Sequence, residues 1–279
     1  MKRVVSIQDI SCLGKCSLTV ALPIISAMGV EACVVPTAVL STHTGGFQGF
    51  TFHDLTQEIA PIAEHWEKEG ITFDAIYTGY LGSFQQIELV GQFFDRFGKG
   101  DTLVYVDPAM ADNGVLYTGF TPDFALEMGK LCGKADVIVP NLTEASFMLG
   151  VPYVGEGYDE AYIHKMLKDL TGLGCRRAVL TGMSFEPGKI GAVAYDAQTD
   201  TYASYFNEKL PVQFHGTGDV FASACVGALM NGKDLEGALK VAVDYTLECI
   251  RETQKDPDAR WYGVNFEAAI PALVHSLGR

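Results

Sequence analysis

Phe214-His215-Gly216-Thr217-Gly218-Asp219-Val220-Phe221-Ala222-Ser223-Ala224 is the stretch from which the rest of the chain is best read. Two glycines and a threonine run straight into a helix of small apolar residues. Glycines let successive backbone N–H groups converge without Cβ interference, and a helix N-terminus carries about half a positive charge. Together they form an anion hole suited to phosphoryl oxygens. Asp219 stands at the mouth of that hole. A carboxylate is awkward there if anion binding is the whole task, and makes sense if it faces a nucleophilic hydroxyl while the amides hold a transferring phosphoryl group. Aspartate also caps helices, and on the local pattern cap and catalyst both stand open.

Outward from this element, β-branched runs alternate with helical patterns. Strands are expected at 3–7, 33–38, 74–78, 102–106, 136–139 and 177–181, with a hairpin of 191–195 and 201–205 around residues 197–200. Helices are expected at 17–28, 55–68, 87–97, 124–132, 143–149, 161–170, after Gly218, and at 235–252 and 266–277. The alternation implies an α/β fold with a mostly parallel sheet covered on both faces. No repeat or linker divides residues 1–279, so one domain is expected. In such sheets ligands sit at the carboxyl ends of the strands. The exits are Gln8-Asp9-Ile10-Ser11, Ser41 to Gly46, Gly79-Tyr80, Asp107-Pro108, Pro140-Asn141 and Thr181-Gly182.

The chain has 279 residues, 48% hydrophobic and 19% charged, with net charge −14. That leaves ample material for a core and argues against non-specific binding to nucleic acid or an anionic membrane. The seven cysteines show neither C-x-x-C nor zinc spacing and read as reduced thiols that mostly fill core positions. No apolar run reaches the roughly 20 residues of a membrane span. A soluble, cytoplasmic protein is expected. The usual P-loop, G-x-G-x-x-G, G-x-S-x-G and H-E-x-x-H are all absent, which leaves hydrolase and zincin chemistry without a handle.

The Gly216-Thr217-Gly218-Asp219 element, placed late in a chain of this length, resembles the signature of the ribokinase superfamily. Further segments resemble its pyridoxal kinase branch, in order and across nearly the whole chain. They are Ser6-Ile7-Gln8, His43-Thr44-Gly45, Thr78-Gly79-Tyr80-Leu81-Gly82-Ser83, Val106-Asp107-Pro108-Ala109-Met110 and Val139-Pro140-Asn141-Leu142-Thr143-Glu144. The resemblance implies a ribokinase-like three-layer fold and transfer of the γ-phosphate of ATP to the 5′-hydroxymethyl group of a B6 vitamer. Mg2+ and often K+ or another monovalent cation would assist, in a homodimer. Asp219 would accept the hydroxyl proton, and Gly216, Thr217 and Gly218 would supply amides to the phosphates.

By the same resemblance, Asn141, Glu144, Thr181, Asp112, Leu210 and Val212 belong to the ATP site, with Glu144 and Asp112 near the metal. Thr44, Tyr80, His43 and Asp9 belong to the vitamer side. Residue by residue, plainer roles stand beside these. Asn141 and Glu144 suit a capped helix turn, Asp112 a turn, Leu210 and Val212 the core, Tyr80 a buried structural position and His43 a brace for its loop. Asp9 is a departure, because the family usually carries a serine there. A carboxylate at that position could pair with a protonated ring nitrogen or with pyridoxamine's ammonium. Two further readings are a hydroxymethylpyrimidine kinase of the same superfamily and a non-catalytic vitamer-binding protein.

Overall fold

The computed structural model describes residues 1–278. In chain order its elements are β1 (Arg3–Leu13), α1 (Leu18–Ala27), β2 (Glu31–Thr42), β3 (Phe52–Asp54), α2 (Thr56–Lys68), β4 (Ala75–Thr78), α3 (Phe84–Phe97) and β5 (Leu103–Val106). Then come β6 (Ala111–Asp112), β7 (Val115–Leu116), α4 (Pro122–Cys132), β8 (Val137–Ile138), α5 (Leu142–Leu149), α6 (Glu160–Thr171) and β9 (Arg177–Met183). The chain closes with β10 (Lys189–Asp196), β11 (Thr201–Glu208), α7 (Thr217–Met230), α8 (Leu235–Lys255) and α9 (Phe266–Ser276).

Nine strands form one sheet in the order β11-β10-β9-β8-β5-β4-β1-β2-β3. Every pairing from β9 across to β2 is parallel. The expected hairpin adds β10 and β11 antiparallel at one edge, and β3 lies antiparallel to β2 at the other. Strand periodicity divides the core cleanly. Val5, Ile7 and Ile76 face the layer built by α2 to α6, whereas Val4, Ala75 and Tyr77 face α1, α7, α8 and α9. Alternate side chains of a strand point to opposite faces, so the sheet is sandwiched as the sequence pattern requires. Helix α7 is buried along most of its length, which explains its run of small apolar residues.

Three features depart from the expected elements. Strands β1 and β2 do not stop near residues 7 and 38; they stay paired out to Leu13 and Thr42, so Gln8 to Ser11 is part of a strand rather than a loop beyond one. The register slips between Gln8 and Ile10, which makes Asp9 the irregular position. Such bulges re-aim a side chain. The short strand β3 and the small β6–β7 hairpin have no counterpart among the expected elements, being too short for a periodic signal. All seven cysteines are free, and Cys132, Cys175, Cys225 and Cys249 are buried. Among the described residues no helix is long and apolar enough to cross a membrane.

Candidate active site

The Gly-Thr-Gly-Asp element opens α7 as expected. Gly216 is its N-cap, at φ 79 and ψ 0, with no side chain capping the helix. A Cβ at Gly216 would collide with the carbonyl oxygen of Lys15, so both the left-handed backbone and the close approach demand glycine. The first turn of a helix leaves its N–H groups without intrahelical partners. Gly218 is exposed, and nothing lies within 4 Å of where its Cβ would be. Asp219 lies in the first turn and does not cap. The local ambiguity between cap and catalyst is thereby removed on the capping side.

Asp219 is pushed up to about 8, first by burial and then by the charge of Asp107, with Asp9 adding to it. The backbone N–H of Ser17 works the other way. Asp107 directly follows β5, where one of its oxygens accepts the Ala109 N–H at 3.3 Å. Burial and the nearby charge of Glu144 hold it well above the usual carboxylate range. Glu144 is pushed up to about 7 by burial, although backbone N–H groups of Asn141, Met110 and Ala111 oppose the shift. This stretch of the strand ends therefore concentrates carboxylates that disfavour their own ionisation. Such an arrangement favours protons or cations over anions.

Asn141 and Glu144 form a complete capping box at the start of α5. The Asn141 side chain accepts the Glu144 N–H at 2.9 Å and donates to the Ala111 carbonyl at 2.8 Å. Glu144 accepts from Asn141 N–H at 2.8 Å and from Met110 N–H at 3.1 Å. The plain capping role is thus present, and it fastens α5 to the segment running from Asp107 to the β6–β7 hairpin. Asp112 is exposed on that hairpin, and its oxygens accept from Asn113. Thr181 bridges to Asn141 beside β8 and β9. Leu210 and Val212 are half-buried on the connection between β11 and α7.

On the other side of Asp219, Asp9 is 4% exposed. Its oxygens accept from the hydroxyls of Ser17 at 2.5 Å and Ser11 at 2.9 Å, while burial raises its pKa. Tyr80 is half-buried, with its ring 5.5 Å from that of Phe120. Burial and then the charge of Asp9 push its phenol up to about 12. Thr44 is exposed. His43 uses both ring nitrogens on backbone, Nε2 with the Tyr262 carbonyl at 2.9 Å and Nδ1 with the Gly45 N–H at 3.1 Å. That pattern fixes the neutral tautomer with its proton on Nε2 and braces the loop.

Some residues at this site carried no assigned role in the sequence. Asp107 is one, lying in the Val106 to Met110 segment. Ser17, in the unusual backbone conformation φ 53 and ψ −137, donates its hydroxyl to Asp9 and favours the Asp219 carboxylate with its N–H. Phe47, His215 and Trp261 form an aromatic wall with His43, with ring separations of 4.5 Å for Phe47–Trp261 and 5.3 Å for His43–His215. Tyr117 is 41% exposed as a residue, and its phenol is raised first by burial and then by the charges of Glu144, Asp112, Asp219 and Asp107. A groove of about 750 Å³ between α3 and α4, lined by Phe84, Leu126 and charged neighbours, shares no residue with these strand ends. Its size carries less weight than the convergence of chemistry elsewhere.

Known proteins of the same fold cover nearly the whole chain. A protein from Bacteroides thetaiotaomicron, described as a candidate phosphomethylpyrimidine kinase, is 41% identical with a TM-score of 0.92, covering 98% of this chain and 93% of that one. An orthorhombic form of that protein was solved with pyridoxal. Pyridoxal kinase from Lactobacillus plantarum is 29% identical with a TM-score of 0.89, covering 99% and 97%. A hydroxymethylpyrimidine/phosphomethylpyrimidine kinase from Mycobacterium leprae is 27% identical over 90% of this chain and 88% of its own. Fold and relatives together define a ribokinase-like kinase, an enzyme that phosphorylates an alcohol. The family model described as phosphomethylpyrimidine kinase matches residues 21–260, and the chain belongs to that family, alongside the pyridoxal kinases.

Proposed function

We propose that the protein transfers the γ-phosphoryl group of ATP to the 5′-hydroxymethyl group of a B6 vitamer. The observation that carries this reading is Asp219, held beside the amides of Gly216 to Gly218 but not spent on capping them. Its raised pKa suits a group that takes a proton late, as the alcohol oxygen bonds to phosphorus and the bond to the ADP oxygen breaks. The amides of Thr217 and Gly218 receive oxygens of the transferring group, and Thr181 with Asn141 borders the nucleotide side. The apolar Leu210 and Val212 suit the adenine. Thr44, Tyr80 and Asp9 receive the flat ring, and His43 holds the loop that carries Thr44.

Magnesium takes oxygen ligands and keeps several waters, so one or two carboxylates and the phosphates suffice. Asp107 and Glu144 fit that demand, since each is buried and Glu144 raises the pKa of Asp107. Because Glu144 already accepts two backbone N–H groups, it suits contact through water, and Asp112 would approach from the hairpin. The ion, when bound, supplies neutralisation of phosphate charge. A second reading, phosphorylation of 4-amino-5-hydroxymethyl-2-methylpyrimidine, is favoured by the description of the matched family. ADP release with Mg-ATP, measured in parallel for pyridoxal, pyridoxamine, pyridoxine and the hydroxymethylpyrimidine, separates the two. Turnover of the pyrimidine alone overturns the B6 reading.

A further inference from the structure

We propose that Asp9 makes the acceptor pocket selective for a ring whose substituent beside the reacting hydroxymethyl group is positively charged, which among B6 vitamers is the aminomethyl form, pyridoxamine. The inference rests on the kinase reading above. Asp9 is almost wholly buried, at the one register slip between β1 and β2. Each of its oxygens accepts a neutral hydroxyl, from Ser17 and from Ser11. A carboxylate has about four lone-pair sites, so acceptor capacity is left over.

Among the described residues the chain offers this carboxylate no cation. Of the basic side chains in the surrounding loops, His215 packs its ring against His43 at 5.3 Å, and Lys15 and His43 are committed elsewhere. Lys15 holds Asn265 and Glu267, each at 2.9 Å. His43 is kept neutral by its two backbone bonds, the acceptor role of Nδ1 leaving no room for a second proton. A desolvated carboxylate without a counter-charge is unfavourable, and a cation carried in by the ligand removes the penalty. An uncharged substituent at the same place leaves the penalty standing.

Ser17 sets which part of the ligand meets Asp9. It donates its hydroxyl to Asp9 at 2.5 Å, and its N–H lies near enough to Asp219 to favour that carboxylate, so the two carboxylates are one residue's breadth apart. The groups they address on the ligand must therefore be close neighbours. If Asp219 faces the 5′-hydroxyl, Asp9 faces the adjacent 4′ substituent, and that substituent is the group that differs among the vitamers. Tyr80, whose phenol feels the charge of Asp9, flanks the ring between them.

The test is kcat/KM at neutral pH for pyridoxamine, pyridoxal, pyridoxine and the hydroxymethylpyrimidine, with the wild type and the Asp9→Asn and Asp9→Ser variants. Calorimetric binding of pyridoxamine and pyridoxine is measured alongside. The wild type is expected to favour pyridoxamine about tenfold or more, as a charge-assisted pair gives. Asp9→Asn is expected to raise the KM for pyridoxamine by about tenfold more than the KM for pyridoxine. A wild type that prefers pyridoxine overturns the proposal, whether or not the variants fold. An equal loss for all three vitamers in Asp9→Asn also overturns it, since that is the signature of a structural role or of contact with the shared ring nitrogen. Turnover of no vitamer, together with tighter binding of pyridoxamine that depends on Asp9, would sink the kinase reading and uphold the selectivity.

Discussion

Replacing Asp219 by asparagine is expected to move activity and stability in opposite directions. Burial and the charges of Asp107 and Asp9 raise this carboxyl from 3.8 to about 8. In the unfolded chain it ionises at its ordinary value, so the folded state favours the protonated form. Stability is therefore fully present below about pH 4, and is lost progressively as pH rises through the folded value. At pH 7 most of the shift is expressed, on the order of 4 kcal/mol at 1.36 kcal/mol per unit. Water penetration and relaxation reduce this to about 2 kcal/mol. Asparagine is isosteric, keeps an oxygen for the Ser17 N–H, and carries no charge. For a domain of this size the gain is a Tm rise of about 5 °C near neutral pH. Thermal unfolding from pH 5 to pH 9, without nucleotide or metal, should show the variant's advantage growing up to about pH 8 and then levelling. Turnover should fall by a factor on the order of 100 or more, because no base remains. A variant no more stable than the wild type at pH 8, or an advantage independent of pH, refutes the reasoning.

Gly216→Ala forces a Cβ into a left-handed backbone and against the Lys15 carbonyl. About 1–2 kcal/mol of backbone strain, plus displacement of the loop, should lower both Tm and the affinity for ATP, read by melting and by the KM for nucleotide. Asn141→Ala removes the cap of α5 and its tie to Ala111, costing about 1 kcal/mol in denaturant unfolding. Its loss of turnover should exceed that figure, because the segment from Asp107 to Asp112 loses its anchor. Asp196 is 7% exposed and pairs with Arg177 at 2.5 Å. Burial works against its ionisation, but Arg177, the Gln198 N–H and Arg176 outweigh it and lower its pKa. The pair therefore stabilises the fold above the usual aspartate range and fails as pH falls through the folded value. Arg177→Met should cost about 1–3 kcal/mol at neutral pH and much less in acid, by chemical denaturation.

Legibility in the sequence followed how local each signal was. The anion loop was readable because its glycines, the aspartate and the helix they open are contiguous, and the parallel sheet because strand and helix periods alternate over most of the chain. The capping box was readable for the same reason, spanning only Asn141 to Glu144. Asp107 acquires meaning only beside Glu144 and Asp219, which the sheet order brings together from distant segments. The slip at Asp9 depends on pairing with β2, and nothing in β1 alone announces it. Trp261 and Tyr262 reach the His43 loop from the connection between α8 and α9, a contact with no local trace. The β6–β7 hairpin has strands of two residues each, below any period a sequence can display.

The most direct test of the central claim is to follow phosphorus itself. 31P NMR of the wild type with Mg-ATP and each B6 vitamer should show the γ-phosphoryl resonance replaced by a phosphomonoester on the vitamer and by ADP in equal amounts, with that exchange lost in Asp219→Asn. ATP hydrolysed to free phosphate with no vitamer phosphate formed, or transfer undiminished in the variant, would contradict the account.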